Sequence, residues 1–145
     1  MGKLSILIIN GPNLNMLGKR EPHLYGDMTL DEINKKILDY TQKKNIEVEF
    51  FHSNIEGEII NKIHKSVGFF NGIIINGGAY SHTSIAIRDA IASINIPVVE
   101  VHISNIFSRE DFRHHSYLAP VCVGSIVGFG YLSYILSLEY FILSS

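Results

Sequence analysis

Five short apolar runs recur along the chain, with room for a helix between successive runs. They occupy residues 4–9, 46–51, 72–75, 98–101 and 121–127, and isoleucine and valine are their commonest residues. Runs of this length and composition are typical of β-strands that are covered on both faces. We therefore predict five buried strands.

A capping-box motif opens the first predicted helix, over residues 29–44. Thr29 and Glu32 stand three positions apart, so each side chain can bond the backbone N–H of the other residue. Ile33 and Ile37 follow on one face at the helical period. This face is predicted to pack against the sheet.

Three later segments repeat the helical pattern. Residues 56–67 and 83–95 each carry an apolar face, and residues 131–143 are apolar on nearly every side. We expect the last of these helices to be buried. The apolar faces of the other two are formed by Ile59, Ile63 and Val67, and by Ile87, Ala90, Ile91 and Ile94.

The alternation of strand and helix predicts an α/β protein. Parallel strands require right-handed crossover connections, and helices between strands supply them. Five strands favour a doubly wound, flavodoxin-like parallel sheet with the strand order 2-1-3-4-5. No linker or repeat interrupts residues 1–145, so we predict a single domain.

Charge and composition exclude several classes of partner. The net charge is −2 with a pI near 6.4, and this balance gives no basic surface for nucleic acid or anionic lipid. The single cysteine, Cys122, cannot form an internal disulfide, and we predict it to be a buried, inert thiol within the fifth strand. The composition and the absence of a signal-peptide pattern at the first residues favour a cytoplasmic protein.

One uncharged segment, residues 121–138, has about the length of a minimal membrane span. Its glycines and serines and its β-branched beginning instead favour a strand, a glycine turn and a helix. The mean hydropathy of +0.18 is high for a monomer. We expect the surplus apolar surface to enter subunit contacts rather than lipid.

The predicted fold also predicts where a ligand binds. In open parallel sheets, ligands lie beyond the carboxyl ends of the strands, at the point where the strand order reverses. The loops at this edge, residues 11–26, 76–82 and 100–105, carry most of the unusual polar residues of the chain. We therefore look for chemistry there.

A tyrosine in the first loop is a candidate general base. Tyr25 follows Arg20 by five residues, and cations within a few ångströms favour a phenolate. Arg109 and Arg113, after the fourth strand, are a second source of positive charge. The alternative is a simple turn at Tyr25 with a solvated Arg20.

A glutamate and a histidine at the end of the fourth strand are a candidate acid. Glu100 and His102 are two residues apart and so share one face of the strand. A carboxylate beside an imidazole favours its protonated form, which can protonate a leaving hydroxyl. The alternative is a structural histidine at a strand end. A base and an acid on neighbouring loops suit the elimination of water next to a carbonyl.

Other functions are less well supported by the residues. His102, His114 and His115 do not have the spacing of a known metal site, and no metal or cofactor is predicted. The glycines after the third strand lack the lysine of a phosphate-binding loop. Two alternatives stay open: a binding module that holds a phosphorylated ligand or nucleotide, and an inactive oligomeric scaffold.

Four blocks of the sequence resemble type II 3-dehydroquinate dehydratase. They read INGPNLNMLGKREPHLYG, HSNIEGEIINKIH, NGGAYSHTSIAIRDAI and EVHISNIFSREDFRHHS, and the resemblance covers essentially the whole chain. It implies a cofactor-free dehydration of 3-dehydroquinate to 3-dehydroshikimate in the shikimate pathway of aromatic amino acid biosynthesis. It also implies a homododecamer, arranged as a tetramer of trimers, in which Asp89 approaches the site of a neighbouring subunit.

The resemblance assigns roles to residues of these blocks. Tyr25 would take the C2 proton, with Arg20 favouring its phenolate and stabilising the transition state. Asn13 would position a water on the enolate. His102, oriented by Glu100, would protonate the departing C1 hydroxyl. The substrate would be held by Asn76, His82, Asp89, Arg113 and the backbone of Ile103 and Ser104, and Arg109 would belong to a closing lid or its anchor.

The sequence departs from the family pattern at one position. Gly77 stands where the family usually has proline. Glycine leaves φ free where proline fixes it, so we expect the loop that carries Asn76 to be less preorganised.

Overall fold

The computed structural model describes residues 2–19 and 21–145. Ten helices and strands are assigned within these residues, together with short 3-10 turns. In chain order they are β1 (Leu4–Asn10), α1 (Pro22–Tyr25), α2 (Leu30–Thr41), β2 (Ile46–His52), α3 (Glu56–Lys65), β3 (Gly72–Asn76), α4 (Ile85–Ala92), β4 (Val98–His102), β5 (Gly124–Val127) and α5 (Leu132–Ser144).

The five strands form one parallel sheet in the order β2-β1-β3-β4-β5. The predicted α/β class and strand order are therefore confirmed. The order reverses between β1 and β3, whose last residues, Asn10 and Asn76, pair with each other. This pairing places both carboxyl ends at the same edge of the sheet.

The interior strand β1 distributes its side chains to two apolar layers. Ile6 and Ile8 pack on the side of α2 and α5, whereas Leu7 and Ile9 pack on the side of α3 and α4. All four side chains are fully buried, and each contributes roughly 1.5–3 kcal/mol of burial free energy. Helices on both faces keep water from the three central strands.

The first long helix begins as predicted. Thr29 caps α2 by accepting from the backbone N–H of Glu32, and the Glu32 carboxylate accepts from the backbone N–H of Thr29. Ile33 and Ile37 are buried against the sheet. The capping box thus fixes where the chain leaves the first loop and enters the helix.

The fifth strand is shorter than predicted, because a 3-10 turn at Ala119–Val121 occupies the start of the apolar run. Cys122 lies between this turn and β5, so its predicted place within a strand is wrong. It is partly buried, and burial followed by the charge of Glu100 raises the pKa of its thiol to about 12. A thiol with so high a pKa stays protonated at neutral pH, which agrees with the prediction that Cys122 is unreactive.

Three predictions of burial are also wrong. Val67 lies beyond the end of α3 and is exposed. Helix α5 buries Tyr134, Leu138 and Phe141 but leaves a second apolar face open to solvent. The edge strands β2 and β5 are only partly covered, because no strand flanks their outer sides. The exposed face of α5 carries Leu132, Leu136, Tyr140 and Leu143.

Among the residues that the structure describes, none of the helices has both the length and the apolar character needed to cross a membrane. The uncharged segment at residues 121–138 divides instead into a turn, β5, a glycine-containing loop and the start of α5.

Candidate active site

A cavity of about 100 Å³ opens at the carboxyl ends of β1, β3 and β4. This is the edge where the reversal of strand order predicts a ligand. It collects predicted site residues from all three loops. Those that line it are Asn13, Tyr25, Asn76, His82, His102, Ile103, Ser104, Arg109 and Arg113.

Close approach of two loops forms one wall of the cavity. The N–H of Gly11 donates to the carbonyl oxygen of Asn76 at 2.8 Å, and a Cβ at Gly11 would lie 2.7 Å from the oxygen of Gly77. Only glycine fits at residue 11 without displacing this backbone. The contact brings Asn13 and Asn76 to the same cavity.

Asn13 itself has a left-handed backbone, with φ 69°. Asparagine adopts this conformation more readily than most residues. Its N–H donates to Oδ1 of Asn54 at 2.8 Å, in the loop after β2. A second loop therefore holds Asn13 in place.

A buried tyrosine of α5 holds Asn76 from beneath. The Tyr134 hydroxyl donates to Oδ1 of Asn10 at 2.6 Å and accepts from Nδ2 of Asn76 at 3.0 Å. Gly78 donates its N–H to Oδ1 of Asn76 at 3.1 Å. Burial raises the pKa of Tyr134, so its hydroxyl stays protonated. These bonds leave one Nδ2 hydrogen of Asn76 for a ligand, so Asn76 faces the cavity as a donor.

Arg109 lies directly against the phenol of Tyr25. One guanidinium nitrogen is 2.5 Å from the phenol oxygen, and the guanidinium carbon lies 5.1 Å from the ring centre. The Arg109 side chain is only 7% exposed, and it also approaches the carboxylate of Glu21 at 3.8 Å. A buried cation at a phenol oxygen favours the charge that proton removal leaves there.

The other two arginines of the prediction differ in what the structure describes. Arg20 lies outside the described residues. Arg113 lines the cavity and donates to the carboxylate of Glu110 at 3.0 Å, in the turn after β4. Of the two arginines named after the fourth strand, Arg109 rather than Arg113 contacts Tyr25.

The predicted pair at the end of β4 is formed. Nε2 of His102 lies 2.8 Å from Oε2 of Glu100, and both side chains are buried. Burial alone would raise the pKa of Glu100, but its bonds to His102, Ser116 and Ser125 hold that pKa below the ordinary value. A carboxylate only accepts, so Nε2 of His102 carries the hydrogen and Nδ1 is the ring nitrogen left for a reaction.

His82 stacks against His102, with ring centres 5.7 Å apart and planes 21° from parallel. Its Nδ1 lies 2.8 Å from the carbonyl oxygen of His115, so Nδ1 is the donor. Burial lowers the pKa of His82, and the charges of His102 and Arg113 act in the same direction. A neutral ring with an unprotonated Nε2 can accept a hydrogen bond from a ligand hydroxyl.

Asp89 does not line the cavity of its own subunit. It lies on α4, its side chain is 66% exposed, and it bonds to the neighbouring Arg88 at 3.2 Å. Asp89 is therefore the one predicted site residue within the described residues that is neither in this cavity nor bonded to a residue that lines it.

Gly77 has a backbone conformation that proline could also adopt. Its φ is −72°, close to the value that proline fixes. A Cβ at this position would collide with the hydroxyl of Ser81 and lie 3.0 Å from Leu118. Ser81 and Leu118 therefore fill the space beneath the loop and leave room only for glycine at residue 77. The bond between Tyr134 and Asn76 orders Asn76 independently of residue 77.

Sequence reasoning missed several residues that support the site. Ser125 could have been found, because the strand order puts β5 beside β4 and the pair Glu100 and Ser125 is in register. Ser116, Tyr134 and Asn54 had no such signal, since they reach the site through loop and helix geometry.

Within residues 2–19 and 21–145, no three His, Cys, Asp or Glu side chains come together in an arrangement that could hold a metal ion. The two adjacent histidines point to different partners. His114 contacts the carbonyl oxygen of Arg109 at 3.0 Å, and His115 packs edge-on against Tyr117.

A family model described as "Dehydroquinase class II" matches residues 4–142 of the chain. The chain is also similar to curated proteins named 3-dehydroquinate dehydratase. One from Nostoc sp. is 56% identical over 139 residues, covering 96% of this chain and 95% of that protein. One from Acaryochloris marina is 52% identical over 139 residues, covering 96% and 93%.

The crystal structure of a type II dehydroquinase from Butyrivibrio crossotus superposes on this chain with a TM-score of 0.94. The two sequences are 50% identical, and the match covers 99% of each chain. The fold and the sequence blocks thus point to the same relatives.

Proposed function

Because this chain belongs to the class II dehydroquinase family, we propose that it dehydrates 3-dehydroquinate to 3-dehydroshikimate in the shikimate pathway. The observation that carries the proposal is the pairing of two groups in one cavity. The Arg109–Tyr25 contact supplies a base, and the Glu100–His102 pair supplies an acid.

The first step is removal of a proton from C2. The Tyr25 phenolate oxygen takes this proton, and the electrons of the C–H bond form an enolate on the neighbouring carbonyl. Arg109 lies on the phenol oxygen, and by the family motif Arg20 adds a second cation and stabilises the transition state. Asn13 positions the water that donates to the enolate oxygen. Fixed donors in a small cavity stabilise such an anion better than bulk water does.

The second step is loss of the C1 hydroxyl. The enolate re-forms the carbonyl, a double bond forms between C1 and C2, and the C1–O bond breaks. His102 gives the Nδ1 proton to the leaving oxygen, which departs as water, while Glu100 keeps hold of Nε2. Transfer of the proton from Tyr25 back to His102 through solvent resets the site.

The remaining polar groups hold the substrate. The backbone of Ile103 and Ser104, with Arg113, forms a cradle for the carboxylate, and Asn76 and His82 bond the ring hydroxyls. Arg109 also anchors the segment that carries Tyr25 through its approach to Glu21. The reaction needs no metal or cofactor.

An absorbance assay tests the activity. The product is a conjugated enone, so wild-type protein with 3-dehydroquinate should produce a rising ultraviolet absorbance. Tyr25→Phe should lower kcat by about 1,000-fold with little change in KM, because it removes only the proton acceptor. Wild-type protein without an absorbance change would refute the proposal, and a Tyr25→Phe variant with normal kcat would place the base elsewhere.

Two reagents test the cofactor-free mechanism. Prolonged treatment with a chelator should leave kcat unchanged, and borohydride with substrate should give no stable adduct, since no lysine forms a Schiff base. Loss of activity after either treatment would contradict the mechanism.

We further propose a cytoplasmic homododecamer, built as a tetramer of trimers, in which Asp89 completes a neighbouring site. Two observations support an assembly. Asp89 is exposed on α4 and does not line its own cavity, and large apolar side chains of α5 are exposed. Light scattering on the purified protein tests the subunit number.

A further inference from the structure

We propose that Ser116, assisted by Ser125, is a positioning residue that keeps Glu100 a carboxylate and so fixes the proton on Nε2 of His102. The proposal rests on the proposed function, in which His102 is the acid. Neither serine lines the cavity, so both act through Glu100 rather than on the substrate.

Glu100 occupies a place where a carboxylate needs support. It lies near the end of β4 and is only 2% exposed. A buried carboxylate without partners would take up a proton, and a neutral Glu100 could donate to His102. His102 would then have to accept at Nε2 and hold its proton at Nδ1. The proton of the Glu100–His102 pair would then not be held at Nε2 of His102 after each turnover.

The bonds of Ser116 settle which form of Glu100 it favours. Its oxygen accepts from the backbone N–H groups of Leu118 and Ala119, both at 3.1 Å. Those two bonds occupy its lone pairs, so its own hydrogen is the only group left for Oε2 of Glu100, 2.6 Å away. Ser116 can therefore donate to a carboxylate, but it has no lone pair left with which to accept a hydrogen bond from a protonated Glu100.

Ser125 binds the other carboxylate oxygen. Strands β4 and β5 pair Glu100 with Ser125 in register, and the hydroxyl lies 2.8 Å from Oε1. Ser125 is on an edge strand and is exposed, so its hydroxyl can turn, unlike that of Ser116. We expect Ser125 to make the smaller contribution.

The pH profile of kcat can report on Glu100 and on the other titratable groups that lie near it. His102 bonds to it, His82 stacks behind His102, and Cys122 lies close enough for the charge of Glu100 to act on its thiol. Cys122 has a pKa of about 12 and does not change charge in the range tested. Loss of a serine donor raises the pKa of Glu100, so the acid limb of the kcat profile should move to higher pH.

The experiment compares Ser116→Ala, Ser116→Thr and Ser125→Ala with wild type. In Ser116→Ala, kcat should fall about 10-fold, with KM within about twofold, because a charge-assisted donor to the acid pair is lost. Ser125→Ala should show a smaller loss, and Ser116→Thr, which keeps a hydroxyl, should recover most of kcat. Ser66→Ala is the matched control, since it removes a buried hydroxyl that donates to the carbonyl oxygen of Ile63 at 2.6 Å, after α3 and outside the lining of the cavity.

Infrared titration gives a readout that does not depend on activity. The protonated carboxyl band of Glu100, assigned by its absence in Glu100→Gln, should appear at a higher pH in Ser116→Ala than in wild type. An unchanged band and an unchanged kcat profile in Ser116→Ala would overturn the proposal. If Ser116→Ala does not fold, Ser125→Ala must show the same shifts in smaller measure. A wild-type protein without dehydratase activity would refute the proposed function alone, because the infrared titration still tests the serines.

Discussion

At the scale of single residues, the shape of the Arg109 side chain matters as much as its charge. One guanidinium nitrogen meets the Tyr25 oxygen while the planar group lies near the Tyr25 ring. Lysine carries the same charge but presents a single ammonium without this plane. Positive charge alone would therefore leave the phenol less well oriented.

We predict that Arg109→Lys lowers kcat by about 100-fold, a loss typical of removing one fixed donor to a developing charge. KM should change little, since the contact is to the proposed base rather than to substrate. Steady-state kinetics on Arg109→Lys and Arg109→Gln measure the two contributions. Equal kcat for wild type and Arg109→Lys would show that orientation is unimportant here.

The lowered pKa of His82 makes the free energy of unfolding depend on pH. Its pKa is lowered in the folded protein, chiefly by burial, from the ordinary value of 6.5. As pH falls below about 6.5 the unfolded chain takes up a proton that the folded chain does not, so the free energy of unfolding decreases. This loss continues until the pH reaches the lower, folded-state pKa.

Urea unfolding at a series of pH values measures this effect. The wild-type protein should lose stability on acidification from about pH 6.5, and His82→Gln should show a shallower loss over the same range. Glu100 contributes at lower pH, because its pKa is depressed from 4.5 and its stabilisation is lost only on further acidification. Identical slopes in the two proteins above pH 4.5 would contradict the assignment to His82.

At the scale of elements, helix α2 depends on its first residue. Thr29→Ala removes the side-chain acceptor for the N–H of Glu32 and should lower the free energy of unfolding by about 1 kcal/mol. Thr29→Ser keeps the hydroxyl and should retain most of that stability. Denaturant titration of the three proteins tests the prediction, and equal stability of Thr29→Ala and wild type would show that the cap does not contribute.

The elements that could be predicted from sequence are those specified by local pattern. The capping box and the 3.6-residue period located α2, and solid apolar runs located the central strands. The start of β5 could not be predicted, because Val121 and Cys122 are as apolar as a strand but a proline-containing turn precedes it. Burial of α5 was overestimated, since an apolar sequence does not show which face meets the sheet.

The candidate site likewise has residues that could be predicted from local pattern and residues that could not. Glu100 and His102 were predictable because alternate residues of a strand share a face, and the strand order placed three loops at one edge. The donors to Glu100 and the support beneath Asn76 come from residues distant in sequence. No pattern along the chain specifies such contacts, because they depend on how loops and α5 pack.

At the scale of the whole molecule, the proposed assembly makes each site a product of two chains. Asp89 is exposed on α4, while Tyr25 lies in the cavity of its own subunit. A subunit that lacks Asp89 therefore still carries Tyr25 in its own cavity. In the proposed assembly, a subunit that lacks Tyr25 would still carry the Asp89 that a neighbouring site requires.

Mixing inactive variants tests this arrangement. Asp89→Ala and Tyr25→Phe should each be nearly inactive alone, but joint refolding should restore activity at sites that join an intact Tyr25 to a neighbour's intact Asp89. Variants mixed without dissociation serve as the control. Activity of Asp89→Ala equal to wild type, or no recovery after joint refolding, would contradict a shared site.

The contacts of α5 bear on the order in which the parts of the site come together during synthesis. Tyr134 joins Asn10 and Asn76 beneath the cavity, and Ser133 donates to the carbonyl oxygen of His102. Every residue that lines the cavity precedes this helix in the chain. A nascent chain thus carries the chemical groups of its cavity before α5 has been synthesised, and the bonds that hold Asn10, Asn76 and His102 from this helix can form only afterwards.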